Sequence, residues 1–107
     1  IAIRDTPLMV GALECLQRNP AEPAKCALEA NDETLGNDSL FEAAKITAGV
    51  YPVDLTPTLC PNGQCQIALN GFTVMRDHGH LTTTFAKSLA PIIEIELVRQ
   101  GALSMEG

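Results

Sequence analysis

Tryptophan is absent from this chain, and the other aromatics are few: Phe41, Phe72, Phe85 and Tyr51. Basic residues are also scarce. Seven Lys and Arg stand against thirteen Asp and Glu, giving a formal charge of −6 and a pI near 4.7, and the seven form no cluster. That balance argues against a phosphate-backbone partner, so no nucleic acid is expected. No apolar run approaches the ~20 residues that a membrane-spanning helix needs, and no signal-peptide pattern opens the chain. There is no initiator methionine; the chain starts at Ile1-Ala2-Ile3 and reads as a processed or excised piece. No internal repeat or low-complexity tract is visible.

What is present suits one globular domain. The 107 residues, 46% of them hydrophobic, can bury roughly 60–65% of the surface that the unfolded chain exposes. Four cysteines allow three pairings in principle. Local pairing, Cys15 with Cys26 and Cys60 with Cys65, is favoured because each pair brackets a turn-forming segment. Arg18-Asn19-Pro20 and Pro23 lie within the first, and Pro61-Asn62-Gly63 within the second. On the loop-entropy model each ring would stabilise the fold by about 2–3 kcal/mol. Neither pair has C-x-x-C spacing, which weighs against zinc. Disulfides imply an oxidising compartment outside the cytoplasm.

The pattern along the chain alternates. Ile1 to Ile3 reads as the end of a strand, Arg4-Asp5-Thr6-Pro7 as the loop leaving it, and Leu8 to Leu16 as a short helix carrying Cys15. Arg18 to Gly36 is rich in Pro, Asn, Asp and Glu and reads as loop, with a turn of helix around Lys25 to Ala30. A helix capped by Asp38 or Ser39 should run to Gly49, although Leu40, Phe41, Ala44, Ile46 and Ala48 fit its apolar face imperfectly. Val50 to Leu55 reads as a strand. Asn70-Gly71 between Ile67–Leu69 and Phe72–Met75 is a strong hairpin signal, since that pair suits a type I′ turn. Beyond Thr82, Leu81, Phe85, Leu89, Ile92, Ile93 and Leu97 recur at helical spacing; Pro91 should kink or restart that helix and Gly101 end it.

Both histidines of the chain fall within Asp77-His78-Gly79-His80-Leu81-Thr82. An Asp and a His three apart at a loop-to-helix junction can lie side by side. The carboxylate then accepts the imidazole Nδ1–H, fixes the tautomer, and leaves Nε2 free to take a proton from a hydroxyl. Asp77 and His80 are therefore candidate acid and base. Other uses compete for the same residues. Asp77 can cap the helix that begins at Thr82 or bond its own loop. His78 and His80, with Asp77, can be set out as metal ligands, although Gly79 between them suggests a turn. Asp5 in Asp-Thr-Pro reads as a turn former, the apolar stripe of the last helix as core, and the acidic surplus as a solvated face.

Val53-Asp54-Leu55-Thr56, Leu59-Cys60, Cys65, Gly71 and the run Arg76 to Thr82 resemble the C-terminal end of an SGNH (GDSL-like) hydrolase-fold domain. The version resembled is the one fused to membrane acyltransferases of acyltransferase family 3, where Asp-x-x-His-Leu-Ser/Thr follows a Leu-Cys…Cys hairpin. Arg4-Asp5-Thr6-Pro7, Cys15 and Cys26 resemble the family's earlier loop and cysteine pair, so the likeness spans roughly residues 1 to 98. It implies an α/β fold of three layers around a flavodoxin-like parallel sheet, with residues 1–107 forming the C-terminal portion of one such domain. It further implies Asp77 as triad acid, His80 as general base, no cofactor, and O-acyl transfer, acetyl in particular, to a cell-envelope glycan. The implied partners are the upstream part of the same protein, including a membrane acyltransferase domain, and the glycan acceptor. The implied location is extracytoplasmic and membrane-tethered.

The family's Gly-Asp-Ser nucleophile motif has no counterpart here; Ser39, Ser88 and Ser104 are the only serines. The Gly and Asn that furnish the oxyanion hole cannot be assigned either. An Asp–His pair without these parts gives little acyl-transfer catalysis, because they act as a unit. The nucleophile is thus expected upstream, and this chain alone is expected to be inactive. The alternative of a different class is a small secreted, disulfide-stapled module in which the histidines hold a cation. Structurally, Asp77 and His80 should share one loop at the carboxyl edge of a sheet, within hydrogen-bond reach. An incomplete sheet should leave an edge for another copy or another chain to cover.

Overall fold

The computed structural model describes residues 1–104. Strand β1 (Ala2–Ile3) lies parallel to β3 (Pro52–Val53), in the register Ala2 to Pro52 and Ile3 to Val53. The Arg4 N–H reaches the Val53 carbonyl at 2.8 Å, extending the pairing into the loop that leaves β1. Both strands fall where the sequence placed them but are shorter.

The helix expected from Leu8 begins only at Ala12, as α1 (Ala12–Arg18). Gly11 has φ 82°, outside helical space, and the N–H groups of Leu8 and Met9 are spent on the carbonyls of Thr34 and His78. The following segment is more ordered than its composition suggested. A 3₁₀ turn (Pro23–Cys26) precedes β2 (Leu28–Glu29), which pairs antiparallel with β4 (Gln64–Cys65). That pairing overrides the helical turn expected at Lys25 to Ala30. Asn31 then caps the single turn α2 (Asp32–Leu35), its Oδ1 accepting the N–H groups of Glu33 and Thr34.

Asp38 caps α3 (Ser39–Lys45), which ends well before Gly49. Phe41 and Ala44 are buried, whereas Leu40 and Ile46 stay exposed, and this accounts for the imperfect apolar face. A further turn, α4 (Thr56–Leu59), follows β3; the Asp54 carboxylate accepts the Thr56 N–H, and Pro57 suits the first turn. Hairpin β5 (Ala68–Leu69) and β6 (Phe72–Thr73) turn through Asn70 at φ 51° and Gly71 at φ 82°. These are the two left-handed residues that a type I′ turn requires. Pro91 restarts the last helix rather than kinking it, so the segment forms α5 (Thr83–Ser88) and α6 (Ala90–Arg99).

Both disulfides form as paired in the sequence reading, Cys15–Cys26 and Cys60–Cys65, with no free cysteine. Cys26, Cys60 and Cys65 are buried in one core with Val53, Ile67, Val74, Met75, Phe85 and Leu89. Burying an aliphatic or aromatic side chain of this kind contributes about 1.5–3 kcal/mol. Ile67, Val74 and Met75 are almost completely buried, and Val74 and Met75 anchor the arm that leads into the segment 76–80, which Met75 closes by bridging to Leu81. The architecture is mixed α/β. Among the described residues no helix is long and apolar enough to cross a membrane, and the disulfides fit an extracytoplasmic location.

Candidate active site

Met75 bridges to Leu81 across the segment Arg76–His80, and the Arg76 N–H closes it by donating to the His80 carbonyl at 2.8 Å. Thr82, immediately after, donates its hydroxyl to the Thr73 carbonyl and caps α5 by accepting the Phe85 N–H. The helix cap is therefore Thr82, and Asp77 is left for the loop. Its Oδ1 accepts the backbone N–H groups of Gly79 and His80, each at 2.8 Å. The His80 Nδ1 lies 3.1 Å from Oδ1 and 3.0 Å from Oδ2 of the same carboxylate.

The two side chains sit at the surface, His80 68% and Asp77 46% exposed. The Gly79 N–H above all, with the side chain and N–H of His80, holds the Asp77 carboxyl below its ordinary value of 3.8. A depressed folded-state value means that the loop's stabilisation is complete above the unfolded value and fades as pH falls through the folded one. The ¹³C signal of the Asp77 carboxyl should accordingly titrate with a midpoint below 3.8; a midpoint at or above it would show that the loop bonds are not made in solution. At neutral pH Asp77 is a carboxylate that can only accept, so the facing Nδ1 is the nitrogen that carries a proton.

His80 also lines an open cleft of about 740 Å³, shared with Arg4, Asp5, Asn37, Asp38 and Arg76. Arg4 is paired with Asp54 at 3.4 Å, whereas the Arg76 guanidinium has no carboxylate partner among the described residues. Asp38 is occupied, accepting the N–H groups of Phe41 and Asp5, and these bonds hold its carboxyl low. The turn expected at Asp5 does not form; the Asp5 N–H instead donates to Asp38 across 33 residues of chain. Of these residues only Arg76 adjoins the dyad in sequence. The others arrive through the β1 loop and the α2–α3 connection, a juxtaposition that no local signal carries. Neither Ser39 nor Ser88 lines the cleft; Ser88 Oγ donates to the Phe85 carbonyl.

The family model for the SGNH domain (fused to AT3 domains) matches residues 1–94. The chain belongs to this family. The SGNH match takes in both disulfides and the whole Arg76–His80 loop, and it makes the chain an acyltransferase-associated module. No curated protein and no solved structure gives a significant match.

His78, the other histidine, contributes its carbonyl to the Met9 N–H at 2.7 Å. Among the described residues no group of three His, Cys, Asp or Glu side chains is placed to hold a metal ion. Gly79 does not have the left-handed backbone that a turn glycine often adopts. A Cβ there would meet only Leu8 Cδ2, at 3.6 Å, an ordinary contact. Gly79→Ala should thus change the unfolding free energy, read by denaturant titration, by no more than about 0.5 kcal/mol; a loss of several times that would mean the loop is strained.

Proposed function

We propose that Asp77 and His80 are the acid and general base of a Ser-His-Asp acyltransferase. The nucleophilic serine and the oxyanion donors are supplied from outside these 107 residues. The observation that carries this reading is the Nδ1–carboxylate contact at 3.0 Å beside an open cleft. In the first half-reaction His80 Nε2 takes the serine hydroxyl proton while the serine oxygen attacks the acyl carbonyl, and the imidazolium returns the proton to the leaving group. In the second half-reaction an acceptor hydroxyl in the cleft loses its proton to the same nitrogen and attacks the acyl-serine. The ester passes to the acceptor and the serine regains its proton.

Membership in a family whose SGNH domain is fused to AT3 domains supports a membrane-delivered acyl group, acetyl in particular, and a cell-envelope glycan as acceptor. It equally supports an extracytoplasmic domain tethered by a membrane acyltransferase part of the same protein. The parallel pair β1–β3 would belong to a larger sheet in a three-layer domain. Ile1, Ile3 and Leu40, all exposed around β1 and α3, are apolar enough to lie against its further strands.

The test is an acyl-ester and acyl-transfer assay on this chain and on the complete protein. The chain alone should show no turnover above the buffer rate, and the complete protein should transfer acetyl to a saccharide hydroxyl. Turnover by the isolated chain, or none by the complete protein with any acyl donor, would contradict the reading.

A further inference from the structure

We propose that Thr6 is the positioning residue of the Asp77–His80 pair, setting its geometry through the Gly79–His80 peptide unit. The proposal rests on the reading of that pair as catalytic, but its structural half is testable separately. Asp77 Oδ1 is placed by two converging donors, the N–H groups of Gly79 and His80. Each N–H belongs to a peptide unit whose carbonyl, at the other end, is held by the loop leaving β1. The His78 carbonyl accepts the Met9 N–H at 2.7 Å, and the Gly79 carbonyl accepts the Thr6 hydroxyl at 3.1 Å. Two consecutive peptide planes are thus pinned between a donor on one side and a single carboxylate oxygen on the other.

A peptide that accepts at its oxygen is polarised and becomes a stronger donor at its nitrogen. The Thr6 hydroxyl therefore strengthens the His80 N–H bond to Oδ1 and blocks rotation of the plane that would break it. The β1 loop is well placed to do this. Arg4 donates its N–H to the Val53 carbonyl, Asp5 its N–H to Asp38, and Leu8 its N–H to the Thr34 carbonyl, so Thr6 sits between fixed points. The Met9 contribution is backbone and survives any side-chain change. Thr6 is the one member of the relay that a point substitution removes.

The experiment compares Thr6→Val, which keeps the shape and deletes the hydroxyl, with Thr6→Ser, which keeps the hydroxyl, and with Thr6→Ala as a second deletion. Two quantities are read: amide exchange at His80 with the ring ¹⁵N signals, and kcat and KM in the complete protein. In Thr6→Val and Thr6→Ala the His80 amide should exchange about 5- to 10-fold faster, the size of one neutral hydrogen bond, and the ring nitrogens should move toward mixed tautomers. Thr6→Ser should restore both. Turnover should fall about tenfold with acceptor KM unchanged, since misplacing a catalytic group costs rate rather than binding. Unaltered His80 exchange and ring signals in both deletions would overturn the positioning role, whatever the activity. Altered signals in Thr6→Val, with turnover indifferent to both Thr6→Val and His80→Ala, would uphold the positioning role and overturn only the catalytic reading.

Discussion

Asp77→Asn in the complete protein is expected to lower kcat by about 10⁴-fold while leaving the domain folded; in a serine protease the same change costs about that much. The reason lies in what the two carboxylate oxygens face. Oδ1 accepts the Gly79 and His80 N–H groups, and an asparagine carbonyl oxygen can keep both bonds. The other position, now an amide NH₂, faces His80 Nδ1 where Oδ2 stood at 3.0 Å. Oδ1 also lies 3.1 Å from Nδ1, but it already accepts two N–H groups, so a donor at the second position favours the Nε2-protonated tautomer, which lacks the lone pair that should take the serine proton. Steady-state transfer kinetics together with circular dichroism separate the two effects. Loss of activity with an intact spectrum is expected; full activity would show that the carboxylate has no part in the reaction.

His80→Ala should cost at least as much, on the order of 10⁴- to 10⁶-fold in kcat, because removing the base of a triad disables the unit. Acceptor KM should change little. The ring is 68% exposed and contributes no buried contact, so stability should hold and misfolding is not a route to inactivity. His78→Ala, which leaves the His78 carbonyl bond to Met9 in place, should retain activity within a few-fold. Equal losses in the two variants would point instead to a site built from both rings.

The parts of this molecule that were legible in the sequence are those that local chemistry decides. The Asp77–His80 contact needs only a three-residue spacing and a loop. The Asn70-Gly71 turn needs only two residues that tolerate positive φ, and each disulfide closes over a turn rich in proline or asparagine. Thr82 shows how local rules compete: Asp77 was the candidate cap for the helix expected to begin at Thr82, and the Thr82 hydroxyl itself took the place. What stayed hidden depends on contacts across the chain. The pairing of Leu28–Glu29 with Gln64–Cys65 turned a segment that looked like loop into a strand. The left-handed backbone at Gly11 delayed α1 by a full turn. The cleft and the Thr6 contact arise because the loop leaving β1 lies against the 76–80 loop, with Thr6 and Met9 donating to the Gly79 and His78 carbonyls. No periodicity records that.

Chemical rescue tests the central claim most directly. If the His80 imidazole is the general base, free imidazole added to the His80→Ala form of the complete protein should restore acyl transfer saturably, rising with the neutral base concentration. It should do nothing for the wild-type protein. A His80→Ala variant that keeps full activity, or one that stays dead in imidazole but recovers with a divalent cation, would contradict the account.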